Sequence, residues 1–187
     1  MLYSGTGCAM VDLALQPRII ELEAYLPRLR AYLRRPEISL AYLYGSYAKG
    51  RPWLHSDVDI AVLLTEEIEE REYFDYRLRY IGGIAHLLHF DDVDVQVLNG
   101  ASVEFQYQVI AGGRVLFVQQ EAIRVRFETQ VMLAYFDLKP ILDEYYRHLF
   151  RRIKEGKFSA RLPGYIAQAK AAAGRSRSVG RLSGTQS

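Results

Sequence analysis

Residues Tyr42–Leu64 read YLYGSYAKGRPWLHSDVDIAVLL. An apolar run rich in β-formers stops at Gly45 and Ser46, a basic loop-like segment follows, and Asp57 and Asp59 open a second apolar run. The first run, begun by "ISLA", is a strand that ends at Gly45. "DVDIAVLL" is apolar on both faces after its first residues, the pattern of a central strand in a covered sheet. Aspartate is a poor strand former and costly to bury, so two of them at the head of such a strand call for a chemical reason. Positions i and i+2 of a strand face the same side, which sets these two carboxylates next to each other. Like charges that close repel, and each takes up a proton more readily unless a cation sits between them. An all-oxygen pair suits Mg2+, a hard ion that commonly holds one or two carboxylates together with substrate phosphates. By itself, however, aspartate-x-aspartate is also an ordinary turn at a strand edge.

The residues upstream add a second half. Gly45 and Ser46 follow a strand directly, and Ala48, Lys49 and Gly50 come next. Glycine lets backbone approach a ligand closely, and the following amides can point at an anion. Ser46 contributes a hydroxyl and Lys49 a positive charge. A serine-capped strand-to-helix turn would use the same residues. Phosphate-binding turn and carboxylate pair on adjacent strands, joined by a basic loop, make a far more specific combination than either half.

Outward from this stretch, Ile19, Leu22, Leu26, Leu29 and Leu33 form one stripe of a helix, with Pro27 predicting a kink or a second helix that starts there. "EEIEEREYFDYRLRYIGGIAHLLHF" is helical, weakened in its middle by Gly82 and Gly83. "DVDVQVLN" is a third strand, "ASVEFQYQVIAGG" a short helix and "RVLFV" a fourth strand. From Glu121 to about Glu155 the residues Phe127, Val131, Tyr135, Leu138, Leu142, Tyr145, Leu149 and Ile153 keep a helical stripe, which Pro140 should kink. The fold class is therefore α/β (α+β), a small mixed β-sheet with flanking helices and a long kinked C-terminal helix.

"GSYAKGRPWLHSDVDIAV" resembles the signature of the polymerase-β-like nucleotidyltransferases, a glycine-serine pair, a spacer and aspartate-x-aspartate. The resemblance implies a palm-like nucleotidyltransferase core and a third carboxylate on a neighbouring strand. Asp94, flanked by valines inside "VDVQV", fills that place, while Asp91 and Asp92 lie ahead of the strand as loop or cap residues. More narrowly, residues 17–158 are similar to the minimal nucleotidyltransferase (MNT) antitoxins that pair with HEPN ribonuclease toxins. Gln96 departs from relatives that carry an acidic residue there.

What the resemblance implies is an enzyme that moves AMP from ATP to a tyrosine hydroxyl of a HEPN toxin. Asp57, Asp59 and Asp94 would be catalytic and would bind Mg2+, two ions in this family, with Gly45, Ser46 and Lys49 on the nucleotide. The alternatives are a small-molecule transferase of the aminoglycoside type and an antitoxin that acts by binding alone. His86 and His89, one helical turn apart, lack an evident third ligand and read as surface or packing residues. His55 is a loop residue that could touch phosphate, and Trp53 packs beside the site or meets a partner. Tyr42, Tyr44 and Tyr47 are core residues or stack on a base.

Composition agrees with a single globular body of 187 residues, half of them apolar. No apolar run reaches the roughly 20 residues that span a bilayer, no signal peptide is evident, and the single cysteine, Cys8, leaves no disulfide framework. A cytoplasmic location and no membrane partner are expected. From Lys157 onward the chain has six basic and no acidic residues, so the body is acidic overall. Residues 1–16 read as a loose extension and 159–187 as a basic, largely disordered tail, and nucleic acid is not an expected partner.

Overall fold

In the computed structural model, residues 19–156 are described, so the expected loose start and basic tail lie outside the described residues. Four strands form one sheet: β1 (Ile38–Tyr44), β2 (Val58–Leu64), β3 (Val93–Val97) and β4 (Arg114–Val118). Their order across the sheet is β3-β2-β1-β4, which makes β1 and β2 the inner strands. β1 runs antiparallel to both neighbours, whereas β2 and β3 are parallel. Only a parallel pair needs a long crossover, and α3 (Tyr73–Leu88), entered through one 3-10 turn at Glu70–Glu72, supplies it.

Alternation along the inner strands divides the core in two. Ala41, Leu43, Val58, Ile60 and Val62 join the larger cluster beneath α1 (Leu22–Leu33) and α3. Leu40, Tyr42 and Ala61 face the opposite side, with Val109 of α4 (Val103–Gly112) and, at its margin, Phe127 of α5 (Glu121–Lys154). The two most deeply buried tyrosines satisfy their hydroxyls: Tyr42 donates to Glu128 at 2.8 Å and Tyr80 to Glu37 at 3.0 Å. Asn99 closes the far end of β2, accepting from Leu64 N at 2.7 Å and donating to Leu64 O at 3.0 Å.

The expectation of two short helices at Pro27 needs correction. Leu22–Leu33 is one helix with Pro27 inside it, not two short ones, and Ile19 lies outside the stripe, half exposed. Pro27 falls on the solvent face. The carbonyl of Glu23, deprived of its bond, can therefore be hydrated, while Leu22, Leu26, Leu29 and Leu33 stay buried on the other face. The long C-terminal helix is present as expected: α5 is one element of 34 residues with Pro140 inside it. Its apolar stripe is core only in part. Val131 is buried, Tyr135 stacks on Tyr107 at 3.7 Å between centroids, and Ile153 is exposed, as are Phe136 and Phe150 off the stripe.

Gly82 and Gly83 sit inside α3 for different reasons. A side chain at Gly82 would meet nothing, whereas a Cβ at Gly83 would overlap the hydroxyl of Tyr32 on α1. Gly83→Ala should therefore lose stability, because Tyr32, edge-on to Tyr80, has to move. Gly82→Ala should gain about 0.5–1 kcal/mol from helix propensity. Urea denaturation of the two variants should place their midpoints on opposite sides of the unmodified protein.

Candidate functional site

β1 ends at Tyr44, and Gly45 turns the chain with φ +71°, a left-handed conformation that favours glycine. Space demands the same residue: a Cβ at Gly45 would overlap Asp59 Oδ2 and stand 2.9 Å from its Cγ. The chain then makes a single turn, α2 (Gly45–Ala48), with Ser46 on it and Lys49 at its end. Lys49 is exposed and makes no ion pair among the described residues. Arg51 N donates to Ser46 O at 3.0 Å, which folds the following loop back on the turn.

That loop is pinned just before the carboxylates. Trp53 N donates to Ser56 Oγ, and Ser56 N to Trp53 O, both at 2.9 Å. Ser56 is buried as a result, while Trp53 is 70% exposed, so it is not part of the core. His55 is exposed too. Asp57 precedes β2 and faces solvent. Asp59 is the second residue of the strand and half-buried.

Across the sheet Tyr44, Asp59 and Asp94 are register partners on three adjacent strands. Burial, then the charges of Asp57 and Asp94, push the Asp59 carboxyl up to about 6. The Tyr44 hydroxyl is also pushed well above its ordinary range, by burial first and then by Asp59 and Asp94. Tyr44 meets Phe105 edge-on at 5.5 Å, making one wall of the row. Asp94 has both oxygens engaged: Arg77 Nη2 donates to Oδ1 at 2.9 Å, and Gln96 Nε2 to Oδ2 at 2.7 Å.

The structure thus brings Gly45, Asp59 and Asp94 together, with Asp57 acting on Asp59 through its charge. It sets Asp91 and Asp92 aside, both exposed, with Asp92 O accepting the first β2 bond from Val58 N at 2.8 Å. Of the expected core tyrosines, Tyr42 and Tyr47 are buried and Tyr44 borders the site. His86 and His89 have centroids 6.1 Å apart and both face solvent. The sequence gives no sign of Arg77, one charged residue among several on a mixed helix, because its partner is set by tertiary structure. Gln96, visible as a departure, turns out to be a hydrogen-bond donor.

Among the described residues no group of three or more His, Cys, Asp or Glu side chains is gathered as a metal site. The donor chemistry nevertheless fits a hard divalent ion. Asp57 and Asp59 have no cationic partner among the described residues, and their mutual repulsion is one that such an ion would relieve. Mg2+ held there would neutralise charge on phosphate oxygens.

A glycine turn able to cradle phosphates, set against a row of carboxylates on a mixed sheet, is the layout of a nucleotidyl-transfer site. The family model described as "Polymerase beta, Nucleotidyltransferase" matches residues 28–122, and the chain belongs to that family. It is 30% identical over 86 residues to a protein adenylyltransferase MntA of Shewanella oneidensis, across 46% of this chain and 58% of the relative. A second protein adenylyltransferase MntA, from Aphanizomenon flos-aquae, is 28% identical over 130 residues, 67% of this chain and 85% of its own. The first match thus spans less than two thirds of that relative. Among solved structures, a toxin-antitoxin crystal structure with AMP-PNP superposes with a TM-score of 0.53 at 26% identity, covering 68% of this chain and 98% of the other.

The raised Asp59 carboxyl has a definite consequence for stability. Its folded-state value of about 6 exceeds the ordinary 3.8, so the folded protein binds the proton more tightly. The contribution is then full below about pH 3.8 and is lost as pH rises through 6. Without divalent ions, Asp59→Asn should melt at least as high as the unmodified protein at pH 7, and the advantage should vanish near pH 4. A series of thermal melts across that range reads the difference.

Proposed function

We propose that this protein is a Mg2+-dependent adenylyltransferase that moves AMP from ATP to a tyrosine hydroxyl of a HEPN toxin and so acts as its antitoxin. The observation that carries the reading is the contact of Asp59 with the bare Cα of Gly45, which sets a phosphate turn against a carboxylate row. The two relatives named as protein adenylyltransferases support AMP and a protein acceptor. The AMP-PNP complex of a similar fold supports an adenine nucleotide and a toxin partner. Exposed apolar residues along α5, among them Leu133, Phe136 and Phe150, suit a protein partner. No helix among the described residues is long and apolar enough to cross a membrane, and we place the reaction in the cytoplasm, with ATP.

In this reading Gly45 amide, the Ser46 hydroxyl and the Lys49 charge hold the outer phosphates of ATP. Asp57 and Asp59 would hold the divalent ion, and Asp94 completes the site. The acceptor oxygen attacks the α-phosphorus. The bond from that phosphorus to the oxygen bridging to the β-phosphate breaks, and pyrophosphate leaves with its electron pair. A tyrosine hydroxyl, with an unperturbed pKa near 10, is mostly neutral at pH 7 and must give up its proton, for which Asp94 is the acceptor. Such transfers draw most of their rate from positioning and charge, not from covalent participation by the protein. Both are what a fixed row on a rigid sheet provides.

Incubation of the neighbouring gene's protein with this chain, ATP and Mg2+ should add whole AMP masses in intact-mass spectra, mapping to tyrosine. Asp57→Asn, Asp59→Asn and Asp94→Asn should each cut the transfer by two orders of magnitude or more while circular dichroism stays unchanged. Modification of aminoglycosides in place of the neighbour would replace the protein acceptor with a small one. Tight co-purification without any adduct would leave an antitoxin that acts by binding alone.

A further inference from the structure

We propose that Arg77 and Gln96 form a clamp that fixes the Asp94 carboxylate for the acceptor hydroxyl, which makes Arg77 a positioning residue for transfer. The proposal rests on the nucleotidyl-transfer reading above and names a part of that site outside the motif.

β3 is an edge strand, with β2 on one side only. Arg77, on α3, reaches it with two donors at once: Nε to Val95 O at 2.7 Å and Nη2 to Asp94 Oδ1 at 2.9 Å. The backbone bond fixes the plane of the guanidinium, and the planar fork then fixes the oxygen that its other arm holds. Gln96, two residues along the same face of β3, donates to the second oxygen at 2.7 Å. Three hydrogen bonds therefore determine how Asp94 is turned. Each carboxylate oxygen keeps a further lone pair, so an incoming hydroxyl can still donate to Asp94 without displacing either partner.

The clamp contributes little to stability. The side chains of Arg77 and Asp94 are 37% and 31% exposed, and ion pairs with that much access to water are weak. Its effect is on direction. Gln96 agrees with this, since a carboxylate at that position would repel Asp94 where the amide holds it. The three aspartates also become unequal. Asp94 has its charge compensated by the protein, whereas Asp57 and Asp59 have no cationic partner among the described residues. That pair is where a divalent ion has most repulsion to relieve, while the clamp keeps Asp94 turned toward the acceptor. Lysine cannot replace Arg77, because a single ammonium does not span Val95 O and Asp94 in a fixed plane.

The test has two arms. In the protein without nucleotide, the Arg77 Nε–H should give a slowly exchanging NMR signal that shifts in Asp94→Asn. No shift would overturn the clamp whether or not any acceptor has been found. In transfer assays, Arg77→Lys, Arg77→Met and Gln96→Leu should each lower kcat by about 10–100-fold. Affinity for AMP-PNP should stay within about twofold and the melting temperature should be unchanged, as expected when orientation and not binding is lost. Arg77→Ala should regain activity with added guanidinium but not with the same concentration of sodium chloride. Unchanged kcat in Arg77→Met, or a loss matched by equal losses in AMP-PNP binding and melting temperature, would overturn the proposal. If the unmodified protein modifies no acceptor, the functional reading fails, and the NMR arm alone decides the clamp.

Discussion

Asp59 lies against the bare Cα of Gly45, and both the sheet and the site depend on that contact. A half-buried carboxylate on an inner strand is a liability for folding, since burial alone already raises its proton affinity. The chain accommodates it by ending β1 at Tyr44 and turning with φ +71°, so that no side chain competes for the space. The same turn starts α2, whose second residue is Ser46. A larger residue at position 45 would strain the turn and displace the carboxylate together. The glycine turn and the acidic row are therefore one structural event, not two motifs that happen to meet.

The two faces of the sheet explain why the row lies where it does. The large cluster under α1 and α3 holds the valines and isoleucine of β2 and β3, so the side chains between them face the other way. On that second face the buried cluster is small, reaching from Leu40 to Ala61 and Leu98, and it stops short of Asp59. Tyr44 and Phe105 form its margin. Stability comes mostly from one face, which leaves the other free to keep like charges close together. The raised Asp59 carboxyl is the physical sign of that arrangement.

Most of this was legible in the sequence wherever chemistry and periodicity pointed the same way. Asp57 and Asp59 opening a run of buried apolar residues, Gly45 ending a strand and Asp94 between valines each broke a local rule; Asp59 and Asp94 lie in the row, Gly45 packs against Asp59, and Asp57 acts on Asp59 through its charge. Asp91 and Asp92 broke none and proved exposed. Periodicity failed where tertiary contacts decide. It could not show that Pro27 would fall on a solvent face and be tolerated in a continuous helix, or that Gly83 makes room for Tyr32. Arg77 was invisible for the same reason. An arginine on an amphipathic helix is ordinary until the edge of β3 is placed beside it.

The long helix shows the limit of reading a stripe as a core. Its first turns lie over the sheet, where Tyr42 reaches Glu128 and Arg124 braces Glu128 in turn. Further along, Tyr135 rests on Tyr107 of α4, and Tyr146 donates to Glu104 at 3.3 Å. Pairs one turn apart, such as Lys139 with Asp143, support the helix locally but contribute only a few tenths of a kcal/mol each. Those terms are too small to account for a face that carries Phe136 and Phe150 into solvent. In the function proposed above, a protein acceptor would cover that face while bringing its tyrosine to the row. In that arrangement recognition and chemistry would use separate parts of the chain. The sheet would hold the nucleotide, and α5 would choose what receives the AMP.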